Sequence, residues 1–352
     1  MRRRSRLTSA LAALALLLGL GRGGDALAAP EMRLRMTTVV PEATEVYQGV
    51  AKRFAALVGE LSGGRVEITP YPVGVIAPLP GVYDAVEDGL ADLGHAPVPL
   101  LTNRDPATAL FSSFPGGMGA DALLHWMYEG GGYGLLVEHH HATLKLHPLI
   151  VGAATTELFA HSHRCLRNLR DFEGLKFRAL GVFAEVLRDL GAVPASTPQA
   201  EIATALQQRT IDAAEFLSPA DNLRLGLNKL APYVVAPGAH LPGGYFTVFM
   251  PLARWEAMAP ELRTVFERAA ELTTSEFYYG QGRRDLEAMA ELARTNEVCR
   301  LEPEVLKAVR ESGRAWAERQ KAAHPGNPWI DRVAKAHFGF QELWEAWGWY
   351  RL

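Results

Sequence analysis

Leu206-Gln207-Gln208-Arg209-Thr210-Ile211-Asp212-Ala213-Ala214-Glu215-Phe216 can be laid over Val86-Glu87-Asp88-Gly89-Leu90-Ala91-Asp92-Leu93-Gly94-His95-Ala96. In each, a helix end gives way to a short apolar strand; Asp212 falls on Asp92 and Glu215 on His95. The sequence upstream repeats as well. Met32 to Val39 reads as a strand, and Val46, Val50, Phe54, Leu57, Val58 and Leu61 recur at helical spacing up to Gly63-Gly64. Arg65 to Tyr71 alternates as a strand, a short helix carries Val82, Ala85 and Val86, and Leu90 to Ala96 returns as a third strand. The second unit begins at Gly174-Leu175-Lys176-Phe177-Arg178, continues through a helix with Val182, Val186, Leu187 and Leu190, and reaches a strand at Val193. Thr197 and Pro198 are expected to open the next helix, which carries Ile202 and Leu206, before the strand Ile211 to Phe216. Strand–helix–strand–helix–strand, twice over, implies two parallel α/β units with right-handed crossovers. Ligands of such sheets bind beyond the carboxyl ends of the strands, so His95 and Glu215 are candidate polar tips of two lobes.

From Pro260 the chain turns helical to about Asn296, with Gly280 and Gly282 expected to bend or interrupt it. Val305 to Gln320 reads as a further helix, and Pro325-Gly326-Asn327-Pro328 as a break. The tail then carries Trp329, Ile330, Val333, Phe338, Phe340, Leu343, Trp344, Trp347, Trp349 and Tyr350, apolar surface that has to be covered.

At the N-terminus, Arg2, Arg3, Arg4 and Arg6 precede an apolar run from Leu7 to Leu20, and Ala26-Leu27-Ala28 follows. A basic region, a short apolar core and a small-residue site read as a signal peptide over 1–28, cleaved after Ala28, and so as export. Arg3-Arg4-Ser5-Arg6-Leu7 also loosely resembles a twin-arginine signal. Removal of 1–28 would take Lys+Arg from 36 to 31 and Asp+Glu from 39 to 38, moving net charge from −3 to −7. An acidic chain argues against nucleic acid as a partner. A length of 352 residues suggests about two domains. Cys165 and Cys299 form one distant pair; two buried or unpaired thiols are the favoured expectation over a bridge. Neighbours in His139-His140-His141 face different ways on a helix, which reads as a solvated helix end. His161 and His163 can share a strand face but lack further metal ligands, so a structural role is expected.

Three short stretches, in this order, resemble the extracytoplasmic receptors of TRAP (tripartite ATP-independent periplasmic) transporters: Ser62-Gly63-Gly64-Arg65; Asp171-Phe172-Glu173-Gly174-Leu175-Lys176-Phe177-Arg178; and Ala205-Leu206-Gln207-Gln208 with Ile211-Asp212-Ala213. Thr37-Thr38, Pro115-Gly116-Gly117-Met118, Gly130-Gly131-Gly132 and Glu215-Phe216-Leu217-Ser218-Pro219 resemble the α-keto-acid and lactate branch. The resemblance implies a two-lobed periplasmic-binding-protein-like α/β fold with hinge strands and a long helix across both lobes. On it we expect one lobe from 31–150 plus about 242–275, a second from 151–241 plus about 276–324, and an aromatic helical tail over 325–352. It implies a periplasmic receptor, not an enzyme, that closes on a small carboxylate (a 2-oxo acid, 2-hydroxy acid or similar) and serves the transporter's membrane subunits.

By the same resemblance Arg178 pairs with the ligand carboxylate, a role suited to a planar guanidinium. Glu215 matches a position that helps hold a Na⁺ or Ca²⁺ bridging to the ligand. Phe216 stands where the branch has Trp and could still offer its backbone carbonyl, and Glu157 is a further oxygen ligand. His95, Tyr245 and His240 complete the candidate ligand-binding set. Gly238-Ala239-His240-Leu241-Pro242-Gly243-Gly244-Tyr245 departs from the branch, which tends to carry Trp and an acidic residue there. That departure leaves a sensory or scaffold protein on the receptor fold as the alternative, with a periplasmic hydrolase behind it. The tail resembles the swapped C-terminal helix of some keto-acid receptors, which implies a homodimer; the other outcome is a tail folded back on its own lobe.

Overall fold

The computed structural model describes residues 29–351; the expected signal segment, 1–28, lies outside them. The first unit runs β1 (Met32–Thr38), a π turn (Tyr47–Lys52), α1 (Arg53–Leu61), β2 (Val66–Tyr71), α2 (Val82–Glu87) and β3 (Leu93–Ala96). Then come α3 (Ala120–Tyr128), α4 (Gly132–Thr143) and β4 (Leu146–Ala154). The second unit runs β5 (Ala160–Ser162), β6 (Lys176–Arg178), α5 (Gly181–Asp189), β7 (Val193–Ala195), α6 (Ile202–Gln207) and β8 (Ala213–Ala214). It is followed by α7 (Pro219–Arg224), β9 (Tyr233–Ala236), β10 (Gly244–Pro251), α8 (Leu252–Ala257), α9 (Pro260–Thr295), β11 (Glu297–Arg300), α10 (Pro303–Ala323) and α11 (Pro328–Trp347).

The two sheets have the same plan. One is ordered β2-β1-β3-β10-β4 and the other, read in the matching direction, β7-β6-β8-β5-β9-β11. β1 is parallel to β2 and β3, as β6 is to β7 and β8. The paired aspartates do the same work in both. Asp92 accepts from Arg35 N at 2.8 Å and donates its own N–H to Arg35 O; Asp212 accepts from Lys176 N at 2.9 Å and returns a bond to Lys176 O. Each Asp thus fixes the register of the third strand on the first.

The fourth strand of each sheet enters its lobe from a crossover between the two lobes. β10, antiparallel to β3 and β4, comes from beyond the second unit, and β5, antiparallel to β8 and β9, from beyond the first. The chain therefore crosses between lobes at 155–159 and at 237–243. The two crossovers are tied together: Thr156 Oγ1 donates to Pro242 O at 2.8 Å and Glu157 N to Leu241 O at 3.2 Å. They pass so close that a Cβ on Gly238 would lie 2.1 Å from Glu157 O, so only glycine fits there.

α9 runs unbroken for 36 residues, correcting the expected interruption at Gly280 and Gly282. The propensity cost of two glycines, about 1 kcal/mol each, is overridden by packing along the helix. Leu262, Phe266, Ala269 and Phe277 enter the first lobe's core, and Leu292 meets Leu158 and Val234 of the second. The helix therefore lies across both lobes. Cys165 and Cys299 are bonded, with Cα atoms 5.6 Å apart, which corrects the expectation of separate thiols. Pairing β11 beside β9 carries Cys299 to the segment after β5, a proximity that a separation of 134 residues hides in the sequence. Pro198 sits just before a 3₁₀ turn at Gln199–Glu201, so the expected cap at Thr197 falls outside the helix.

The histidine run is not a solvated end. His139 and His140 are buried, with His139 Nε2 2.7 Å from Asp105 Oδ2, because α4 packs its last turns under the C-terminal helix. Asp105 Oδ1 also accepts from Asn327 Nδ2 at 2.7 Å, and Asn327 caps α11. Ile330, Val333 and Ala334 of α11 fill a core with Trp126 and Phe111. The first half of the tail is thus folded onto its own lobe, while Leu343, Trp347, Trp349 and Tyr350 are exposed.

Candidate functional site

Arg178 ends β6, next to the end of β8. Phe177 turns into the lobe core, so alternation along the strand aims Arg178 at the opposite face. Its guanidinium donates from Nη1 to Glu215 Oε1 at 2.7 Å and to Glu215 O at 3.2 Å, and from Nε to Thr197 O at 3.2 Å. The pair is largely enclosed, with side-chain exposures of 6% and 14%. Nη2 makes no protein hydrogen bond among the described residues.

A second pair stands beside the first, one member on each crossover. Glu157 comes from 155–159 and His240 from 237–243, with His240 Nε2 3.2 Å from Glu157 Oε2. The His240 ring lies on Phe183 at 4.5 Å and meets the edge of Phe159 at 5.6 Å. Its Nδ1 is buried without a hydrogen-bond partner among the described residues. Glu157, Glu215 and His240 each offer a ligand atom, and these atoms lie within 4.8 Å of one another. Burial pushes the Glu215 carboxyl above its ordinary range; Arg178 opposes that shift and Glu157 adds to it.

Arg178, Glu215, Glu157 and His240, four of the seven residues singled out from sequence, therefore meet where the crossovers reach the second sheet. The other three do not join them. The Phe216 side chain packs into a small core with Ile202, Leu206 and Leu227, which leaves only its backbone for the site. Tyr245, at the register irregularity of β10, lies in the first lobe's core, its hydroxyl donating to Phe111 O at 3.1 Å. His95, on β3, is fully buried against Phe246 of β10, with neither ring nitrogen partnered among the described residues, and burial pushes its pKa down to about 3. Phe183 and the carbonyl of Thr197 are contributors that the sequence reading missed. An apolar residue in a helical stripe and a backbone oxygen carry no distinguishing signal.

Residues 36–322 match the bacterial extracellular solute-binding protein family 7. Over 240 residues, 68% of the chain, it is 32% identical to a monocarboxylate 2-oxoacid-binding periplasmic protein of a Nostoc species; the match spans 65% of that relative's length. Among solved structures it is similar to a TRAP transporter solute-binding protein of Bordetella bronchiseptica with copurified calcium and picolinate (27% identity, TM-score 0.81, 92% of this chain and 94% of that one). It is also similar to one of Pseudoalteromonas atlantica with bound sodium and pyruvate (25% identity, TM-score 0.79, 90% and 95%).

Proposed function

The chain belongs to the bacterial extracellular solute-binding proteins of family 7, and from that premise we propose that it is a periplasmic TRAP receptor closing on a small monocarboxylate of the 2-oxo-acid class. The observation that carries this is the placement of Arg178 and Glu215 at strand ends, beside Glu157 and His240 on the two crossovers. A ligand there touches the second lobe and both connections about which the lobes move, so binding and closure are one event. The Nη2 edge of Arg178 meets the ligand carboxylate while Nη1 stays on Glu215. The family relatives are receptors, and the reading here is binding without turnover.

The donor set fits a cation. Glu157 and Glu215 bring two negative charges against Arg178, and a carboxylate ligand adds a third, so a cation between them offsets the excess. Glu215, Glu157 and the backbone at Phe216 supply the oxygens that Na⁺ or Ca²⁺ require, and His240 adds a nitrogen. When bound, the ion supplies electrostatic attraction for the ligand oxygens. Calorimetry with pyruvate tests both parts, before and after chelation, with Ca²⁺ and Na⁺ restored separately. Binding that returns with one cation supports the reading; binding unchanged by chelation removes the cation, and no pyruvate binding in any arm removes the ligand class.

Export rests on residues 1–28, and N-terminal sequencing of exported protein should begin at Ala29. Lobes divided at the two crossovers, with α9 across both, are the matching domain reading. The exposed Leu343, Trp347, Trp349 and Tyr350 support a homodimer through the end of the tail. Light scattering at micromolar concentration checks it, and a monomer counts against it.

A further inference from the structure

Nine residues beyond Glu215, the chain makes a contact that the binding site does not use. Arg224, the last residue of α7 in the second lobe, donates from Nη1 to Glu45 Oε1 and to Ala43 O, both at 3.1 Å. Ala43 and Glu45 lie after β1, in the first lobe. An exposed ion pair of this kind ordinarily contributes little, because ordering two long side chains offsets the attraction. Here the ordering is already done. Arg224 Nη2 is fixed on Asp221 Oδ1 at 2.5 Å, and Asp221 is buried. Asp221 Oδ2 accepts from Ser218 Oγ at 3.1 Å, and Ser218 Oγ accepts from Gln281 Nε2 at 2.8 Å. Gln281 also donates to Asp285 Oδ1 at 2.8 Å, and Asp285 in turn holds Ala220 N at 3.1 Å and the hydroxyl of Thr155. Thr155 opens the first crossover. Arg284 closes a second arm, with Nη2 3.0 Å from Gln281 Oε1 and 3.8 Å from Glu45 Oε2.

A continuous hydrogen-bonded chain therefore runs from the crossover, through the buried face of α9, to the Arg224 guanidinium of the second lobe, where it meets Glu45 of the first. The network is joined to the site at Ser218 through Leu217, whose φ of 45° is a left-handed conformation costly for a branched side chain. That strained residue is the single link between Glu215-Phe216 and Ser218, which opens α7.

We propose that Arg224 and Glu45 form an interlobe clasp, positioned by Asp221, Ser218, Gln281 and Asp285, that favours the closed arrangement and slows ligand release; this rests on the receptor function proposed above. Arg224 and Glu45 are positioning residues that do not touch ligand. A clasp of this exposure shifts the closed-to-open ratio by about two- to fivefold. Because it forms after encounter, its loss appears in the dissociation rate.

The test uses the full chain with Val75→Cys and Gln199→Cys, both exposed, in the segments that follow the corresponding strands β2 and β7 of the two lobes. The native cysteines are bonded to each other, so only the introduced thiols take label. Glu45→Gln, Arg224→Gln and the double variant are compared with the labelled parent, with pyruvate as probe. Expected are a longer mean interlabel distance, pyruvate release about two- to fivefold faster at unchanged association, a double variant no worse than either single one, and convergence of all four at about 1 M salt. Unchanged interlabel distances overturn the clasp, as does a lowered melting temperature with no change in distance. Additive single effects on release overturn the Arg224–Glu45 coupling. If pyruvate binds none of the four, the ligand reading fails alone, and the distances in ligand-free protein decide the clasp.

Discussion

Removing the Arg178 guanidinium has two costs that the structure separates. In the ligand-free protein, Arg178→Ala leaves Glu215 enclosed with its cationic partner gone. Breaking a buried pair costs roughly 3–5 kcal/mol when the remaining charge has no escape. Glu215 has one: burial already raises its carboxyl, and losing Arg178, which holds it down, raises it further, so it can take a proton. We therefore expect about 3 kcal/mol of destabilisation at most at pH 7. The pH dependence follows from linkage. A carboxyl raised in the folded state binds protons more tightly than in the unfolded chain, so the variant's deficit grows as pH rises through that folded pKa and shrinks as pH falls. Binding is the second cost. Truncating one side of a desolvated charge pair costs about 2–5 kcal/mol, or roughly 30- to several-thousand-fold in Kd. Arg178→Lys keeps the charge but cannot serve Glu215 and a ligand carboxylate from one planar fork, so it should fold better than Arg178→Ala and still bind poorly. The assays are pyruvate calorimetry and urea unfolding at pH 5 and pH 8. Near-normal affinity in folded Arg178→Ala would remove Arg178 from the site, and a stability deficit larger at pH 5 than at pH 8 would refute the account of Glu215.

Two further outcomes follow from buried chemistry. The Cys165–Cys299 bridge closes a loop of 134 residues, so the double Ser variant should lose about 2–5 kcal/mol against the oxidised protein and match it under reductant, by thermal melting. Burial pushes His161 down to about 4. Between pH 6.5 and that value the unfolded chain gains a proton the fold refuses, costing about 1.4 kcal/mol per pH unit on acidification. His161→Gln should lower the pH slope of unfolding free energy between pH 7 and 5 by up to one proton, and an unchanged slope would mean the buried ring already takes its proton.

Much of this molecule is local and therefore legible. Helical stripes at Val50, Phe54 and Val58 or at Val186 and Leu187, strand alternation, and the positions of Asp92 and Asp212 are set by residues near in sequence. They yield two α/β units and place Arg178 and Glu215 at neighbouring strand ends, because parallel pairing of β6 with β8 follows from that pattern. The unbroken α9 shows the limit, since two glycines weaken a helix locally but cannot register the two cores packed against it. The buried His139 and His140 show it again, because their partners Asp105 and α11 lie far away in the chain. Which strand fills the fourth place in each sheet, that Cys299 reaches Cys165, that His240 meets Glu157 while Tyr245 turns into a core, and that half the aromatic tail is covered at home were decided only by tertiary structure. Each joins segments tens to hundreds of residues apart, and what selects them is shared desolvation and close approach between packed elements, which no periodicity within one element encodes.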